Sequence, residues 1–177
     1  PVNLVVVSDH GMTPVDENML IEVESLSIPE NFIFENEGAQ VHLYAREGVS
    51  DEHVANEFER LNRIASNRYI VLNDKQRAKR HMELGNRTGD IIIEIAPPAR
   101  FIDANSMHIS KGGHGYVNTL PDMGATFVAV GPAFKPNTTL PVFSNLEVYP
   151  ALAKILGIAS ITPIDGKLKV LEQALTL

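Results

Sequence analysis

The strongest constraint on the fold is the opening segment VNLVVVSDHG, residues 2–11, in which β-branched apolar residues run into an acid, an imidazole and a glycine. A short apolar run without polar alternation is typical of a strand that is buried on both faces. Two later segments repeat the pattern, GDIIIEIAP at 89–97 and GATFVAVGPAF at 124–134. We therefore predict interior strands that end at polar residues and glycine.

Helical patterns lie between these strand segments. Residues 51–65 place apolar side chains on one face, with Ser50 as the predicted N-cap. A second helix is predicted to begin near Val148, so that Pro150 falls in its first turn, where its missing N–H costs nothing.

The alternation of strands with helices predicts an α/β fold with a mostly parallel sheet flanked by helices. In such sheets ligands gather beyond the carboxyl ends of the strands. Asp9 and His10 follow the first strand segment directly. The predicted fold therefore places them where ligands bind.

The amino-acid composition limits the kinds of binding site that the chain can form. The 177 residues suit one domain. The sequence contains no cysteine, so a metal ion would have to be held by His, Asp or Glu. A net charge of −7 argues against a nucleic-acid surface, and no apolar run approaches the length of a membrane span.

The pair Asp9-His10 has two interpretations. Where a strand ends, both side chains can turn toward one point, and a carboxylate beside an imidazole suits a zinc-like ion. Gly11 permits the sharp exit that a close approach needs. Alternatively, Asp9 caps the turn and His10 packs against it. The residues alone leave both interpretations open.

The segment KGGHGY, residues 111–116, is the second candidate site. Flanking glycines expose the imidazole of His114 and let backbone come close to a ligand, although the same pattern suits a flexible loop. Two glycine-supported histidines, His10 and His114, favour a shared metal centre. His108 is a candidate for an outer contact of that centre, and Lys111 could meet an anion or remain solvated.

No catalytic nucleophile is recognisable in the sequence. It lacks a G-x-S-x-G elbow, a P-loop and a G-x-G-x-x-G motif. Ser8 and Thr13 flank the Asp9-His10 pair, but nothing distinguishes them from turn residues.

Three blocks, VNLVVVSDHGMT, GGHGYVNTLPDMGATFVAVGPAFKPN and NLEVYPALAKILGI, occur in this order, with NRTGDIIIEIAPP between the first two. In sequence and spacing the chain resembles the C-terminal half of the nucleotide pyrophosphatase/phosphodiesterase family, within the alkaline phosphatase superfamily. The resemblance covers nearly the whole chain and implies an alkaline-phosphatase-like fold.

The resemblance implies a two-zinc hydrolase that cleaves phosphodiester or pyrophosphate bonds of small nucleotide-type substrates through a threonine nucleophile. Asp9 and His10 would ligate the zinc that activates the nucleophile, and His114 would ligate the other zinc. A two-metal site suits this reaction because it neutralises charge on the phosphoryl oxygens. The family also implies an extracellular, periplasmic or membrane-anchored location.

The resemblance further implies that residues 1–177 are the C-terminal half of a single catalytic domain. The threonine and the remaining zinc ligands would lie upstream, so the missing N-terminal half is the expected partner and the isolated chain is expected to be inactive. Val117 stands where the family usually has Asp, which should alter an outer contact near His114 more than the metal itself.

Two alternatives remain at this stage. The chain could be a non-catalytic binding or structural module with the same fold. It could also belong to another alkaline phosphatase superfamily hydrolase, such as a phosphonoacetate hydrolase.

Overall fold

A computed structural model describes residues 1–82, 87–159 and 162–176; Asn86, which opens NRTGDIIIEIAPP, lies outside them. The chain forms two compact units. The first consists of residues 1–11 and 125–177, and the second of residues 12–124. No helix within the described ranges is long and apolar enough to cross a bilayer.

The elements are short. The strands are β1 (Leu4–Val7), β2 (Thr13–Pro14), β3 (Leu20–Glu22), β4 (Phe32–Asn36), β5 (Gln40–Ala45), β6 (Ile70–Val71), β7 (Ile91–Glu94), β8 (Arg100–Ile102), β9 (Gly112–Gly113) and β10 (Phe127–Val130). The α-helices are α1 (Asp51–Ile64), α2 (Asp74–Lys79) and α3 (Val148–Leu156). Single 3-10 turns span Glu17–Met19, Val23–Leu26, Pro121–Met123, Asn145–Glu147 and Leu171–Ala174.

In the first unit, β1 and β10 form an antiparallel ribbon. One face of the ribbon packs on a small core that contains Phe134 and Leu175. The other face is open: Leu4 and Val6 are 57% and 56% exposed. The prediction that the opening strand is buried on both faces is therefore wrong for this chain, because only one face of the ribbon is covered.

The helix α3 begins at Val148, as predicted. Pro150 lies in its first turn, where its missing N–H removes no hydrogen bond from the helix. The helix ends at Leu156, and the Gly157 that follows has a φ of 66°, a left-handed conformation that glycine adopts without strain.

The second unit is built on a four-stranded sheet in the order β4-β5-β7-β6, in which each neighbouring pair is antiparallel. Only residues 37–39 join β4 to β5, and so short a connection requires a hairpin. Since β5 and β6 are both antiparallel to β7, they run in the same direction, joined through α1. Thus β5, α1 and β6 form a strand–helix–strand connection between two strands of the same direction, but β7 lies between those strands.

The core of the second unit confirms the helix prediction and the buried strand at 89–97. The Ser50 hydroxyl accepts a hydrogen bond from the His53 N–H at 3.3 Å and caps α1. Leu61 of α1 is fully buried, with Val54 and Phe58 packed against the same core. All four residues of β7 are buried.

The described residues do not form the predicted mostly parallel sheet. Of their six strand pairs, one is parallel, between β3 and β8. The sequence pattern identified strands and helices but not which strands are neighbours. The hairpin makes β4 and β5 antiparallel, and the inserted β7 is antiparallel to both β5 and β6. The class is mixed α/β with small, mainly antiparallel sheets.

Candidate functional site

The Asp9-His10 turn follows β1 in the first unit. Backbone and side chain of Ser8 both bond to Thr126, with Ser8 N donating to Thr126 O at 3.0 Å and Thr126 N donating to Ser8 Oγ at 2.8 Å. These bonds continue the ladder by one residue and hold the start of the turn. Asp9 Oδ1 then accepts a hydrogen bond from the His10 N–H at 3.0 Å.

The hydrogen bonds of His10 define its tautomer. His10 Nδ1 lies 2.8 Å from the Gly11 carbonyl oxygen, which can only accept, so Nδ1 carries the proton. In the neutral imidazole the lone pair is then on Nε2, the atom that lies 3.6 Å from Asp9 Oδ2. A backbone carbonyl that binds one ring nitrogen is the usual way of orienting a metal-ligating histidine.

The two side chains fit a shared metal ion. Ligand bonds of about 2.1 Å at a tetrahedral zinc separate two neighbouring ligand atoms by about 3.4 Å. The observed separation between His10 Nε2 and Asp9 Oδ2 is close to this value. Their side chains are 37% and 86% exposed, so both atoms can be reached. The pair can supply one nitrogen and one oxygen ligand.

His114 lies in the second unit, directly after β9. The ladder of β9 with β2 places Thr13 opposite Gly113 and fixes the residue before the histidine. Beyond it, Gly115 has a φ of 84°, which favours glycine, and the buried Tyr116 donates a hydrogen bond to Ala99 O at 2.8 Å. Burial raises the pKa of Tyr116, so its hydroxyl keeps the proton that it donates. The exposed imidazole is thus held between two anchored residues.

Gly113 is required by close packing. A Cβ on this residue would lie 2.9 Å from Arg100 Nη1 and 3.0 Å from both the Tyr116 hydroxyl oxygen and Val15 Cγ2. We expect Gly113→Ala to cost about 2 kcal/mol of unfolding free energy through overpacking, measured by urea denaturation.

Gly112→Ala is the matched control for that variant. Its Cβ would lie 3.0 and 3.1 Å from Cγ and Sδ of the flexible Met12 side chain and 3.8 Å from Thr13 O. We expect it to cost less than about 1 kcal/mol. Equal losses in the two variants would contradict the packing argument.

The structure brings Asp9 and His10 together in one unit, whereas His114 belongs to the other. Within residues 1–82, 87–159 and 162–176, no three His, Asp or Glu side chains are grouped as a metal site. His108 is exposed and lines a separate small cavity of the second unit, about 230 Å³, beside Arg100. Lys111 is exposed, and its carbonyl accepts a hydrogen bond from Val15 N at 3.0 Å.

His42 has a structural role. Its Nδ1 accepts a hydrogen bond from the Gly89 N–H and its Nε2 lies 3.3 Å from Gln40 Oε1. Burial lowers the pKa of His42, in agreement with this neutral, bridging role in the sheet.

Sequence reasoning did not find a second group of residues that the fold brings together around a cavity. Val117 lines a cavity of about 520 Å³ in the second unit, together with Arg80 and Glu94. The basic segment 74–82 was visible in the sequence, but no local signal connected it with the residues that follow His114. These residues line one cavity although they lie far apart along the chain.

The chain is similar in sequence to a known protein family and to several of its named members. The sequence model of the family described as type I phosphodiesterase / nucleotide pyrophosphatase matches residues 1–117. Human ectonucleotide pyrophosphatase/phosphodiesterase family member 5 is 28% identical over 164 residues, which cover 93% of this chain and 33% of that protein. The mouse protein named bis(5'-adenosyl)-triphosphatase is 25% identical over 156 residues, 88% of this chain and 33% of its own length.

Solved structures of two relatives have the same fold as this chain over nearly its whole length. The structure of the human member 5 protein matches with a TM-score of 0.85 and 27% identity, covering 99% of this chain and 46% of that one. A murine member 5 structure, an inactive threonine-to-alanine variant in complex with AMP, matches with a TM-score of 0.83 and 26% identity, covering 98% and 45%. The chain therefore spans less than half the length of the relatives it matches.

Proposed function

Because the chain belongs to the type I phosphodiesterase/nucleotide pyrophosphatase family, we propose that it is the C-terminal part of a hydrolase acting on phosphodiester or pyrophosphate bonds of nucleotide-type substrates. The observation that carries the proposal is the Asp9-His10 turn, where His10 Nε2 and Asp9 Oδ2 stand 3.6 Å apart inside the matched region. The AMP complex and the triphosphatase name among the relatives favour a nucleotide substrate.

We propose zinc as the metal. Asp9 and His10 would hold one ion, and His114 would contribute to a second. When bound, such ions lower the pKa of the attacking group and neutralise charge on the phosphoryl oxygens. The role of Gly11 O is to keep the proton on His10 Nδ1, so that Nε2 can bind the metal.

The nucleophile and the remaining ligands are proposed to come from the rest of the catalytic domain, for which residues 1–177 would be the C-terminal half. The inactive threonine-to-alanine variant of the murine relative supports a threonine in this role. The isolated chain is accordingly expected to be inactive, and the active protein would work outside the cytoplasm, as the prefix of the relatives' names suggests.

The surface of the first unit supports a larger domain. Across the β1–β10 ribbon, Leu4 lies opposite Val130 and Val6 opposite Val128, and all four side chains are more than half exposed. Apolar side chains aligned on one face of a ribbon are typical of a strand pair that packs against further structure. We propose that the N-terminal half of the domain covers this face.

Metal removal tests the proposed function. In the full-length protein, we expect excess EDTA to lower hydrolysis of a p-nitrophenyl nucleotide ester at least about 100-fold, since outer contacts of a metal ligand alone are worth 10- to 100-fold. Added zinc should restore the rate, and elemental analysis should find two zinc ions per chain.

The control is EDTA saturated with zinc beforehand, which should leave the rate unchanged. Activity that survives chelation would contradict the zinc proposal. A full-length protein with neither zinc nor hydrolysis would favour the non-catalytic module, and hydrolysis of phosphonoacetate alone would favour the other superfamily enzyme.

A further inference from the structure

The cavity of about 520 Å³ in the second unit is not part of the Asp9-His10 turn. Its walls come from β5, β7, the end of α2 and residues 116–119. A volume of this size falls within the range of small-molecule sites. Its lining combines cationic, carboxylate, imidazole, amide, hydroxyl and apolar side chains, so its chemistry can be derived from the individual residues.

The buried carboxylate of the cavity is already neutralised. Arg80 Nη1 forms an ion pair with Glu94 Oε2, and Gln40 Nε2 donates to the same oxygen at 2.9 Å. Glu94 is buried, so these two partners satisfy a charge that would otherwise be costly. Neither Arg80 nor Glu94 therefore leaves an uncompensated charge in the cavity.

Lys79 adds a positive charge that nothing cancels within the part of the chain described. It is exposed at the end of α2, lines the cavity, and forms no ion pair with another described residue. A lysine ammonium acts on phosphate as a point charge with three donors. The side-chain amides of Gln76 and Asn118 add neutral donors on the same walls.

The remaining wall suits the body of an organic molecule. Met82 and Val117 supply apolar surface, and Val117 introduces no carboxylate that would repel an anion. The cavity thus joins a positively charged rim with an apolar wall.

We propose that this cavity binds an organic phosphate, with the phosphoryl group at Lys79 and the organic part against Met82 and Val117. The proposal goes beyond the proposed function because it requires no metal ion and uses neither Asp9 nor His10. The cavity would be a phosphate-binding site in addition to the proposed active site.

Calorimetric titration of the full-length protein with AMP, in the presence of excess EDTA, tests this site. We expect AMP to bind and adenosine, which lacks the phosphate, to bind at least about fivefold more weakly, as loss of one exposed charge interaction predicts. Lys79→Gln should weaken AMP binding about fivefold, and Val117→Asp, which puts a negative charge on the wall, should weaken it by a similar factor.

Lys75→Gln is the matched control, since Lys75 is also an exposed lysine of α2 but does not line the cavity, and it should leave AMP binding unchanged. Because EDTA removes bound metal ions, AMP binding measured in this way does not depend on the proposed zinc site. Unchanged binding in Lys79→Gln, equal binding of adenosine and AMP, or an equal loss in Lys75→Gln and Lys79→Gln would each overturn the proposal.

Discussion

Replacing Asp9 with alanine is expected to lower the hydrolytic rate of the full-length protein at least about 100-fold, with loss of zinc. Disturbing an outer contact of a metal ligand already costs 10- to 100-fold, so removing the ligand itself should cost no less. The carboxylate is 86% exposed and its partners in this chain are the N–H and the imidazole of His10, so the fold should survive the change. Turnover of a p-nitrophenyl nucleotide ester and zinc content by elemental analysis measure the effect.

The structure offers controls that separate a ligand role from general charge effects. Asp165 is an exposed carboxylate in the same unit, and Asp165→Ala should leave rate and zinc content unchanged. His114→Ala should lose activity together with the other zinc ion, whereas His53→Ala, an exposed histidine in the same unit as His114, should not. Full activity in both Asp9→Ala and His114→Ala would rule out the assigned ligands.

Local features were predictable from the sequence because they depend on neighbours in the chain. Ser50 caps α1 because its hydroxyl reaches an N–H three residues ahead. The start of α3 at Val148 follows from the geometry of Pro150, and the position of Asp9 and His10 after β1 follows from the end of an apolar run.

Strand neighbours could not be predicted in the same way. The run that forms β1 is as apolar as a strand that is buried on both faces. The sequence does not show whether residues of this chain bury both of those faces or only one. The parallel pair β3 and β8 joins segments about 80 residues apart, and β7 enters between β5 and β6. Only tertiary packing determines such neighbours.

The candidate site also combines features that depend on neighbours in the chain with features that depend on the fold. The tautomer of His10 follows from the adjacent Gly11, whereas the constraint on Gly113 comes from Arg100 and Tyr116, which reach it through the fold. The role of Asp9, His10 and His114 as zinc ligands remains a prediction, which the variants above test.

Glu147 provides the largest expected effect on stability in the first unit. Ser144 and Glu147 have capping-box spacing, and the Ser144 hydroxyl caps the turn by accepting from Leu146 N at 3.3 Å. The Glu147 carboxylate instead reaches across the unit, where Oε2 accepts from the N–H groups of residues 169, 170 and 171 at 2.9, 2.8 and 3.0 Å. It therefore fastens the 3-10 turn Leu171–Ala174 to the start of α3.

Glu147→Ala is expected to cost about 3 kcal/mol of unfolding free energy, because it leaves backbone N–H donors without their charged acceptor. Glu147→Gln keeps an acceptor oxygen without the charge and should cost about 1 kcal/mol. Hydrogen exchange at the amides of residues 169–171 should accelerate most in the alanine variant. Glu172→Ala, which removes only a surface ion pair with Lys154, should cost less than about 1 kcal/mol.

The pH dependence of the unfolding free energy provides a second test of the Glu147 contact. Burial alone would raise the pKa of Glu147, but the three backbone donors outweigh it and hold the pKa below its ordinary value of 4.5. A carboxyl with a lowered pKa in the folded state stabilises the protein above its unfolded pKa, and this stabilisation is lost as the pH falls through the folded value. The difference in unfolding free energy between the native protein and Glu147→Ala should therefore be full at pH 7 and shrink below about pH 4.5. A difference that is independent of pH would mean that the charge of Glu147 contributes nothing, and that neutral hydrogen bonds and packing hold the turn to α3.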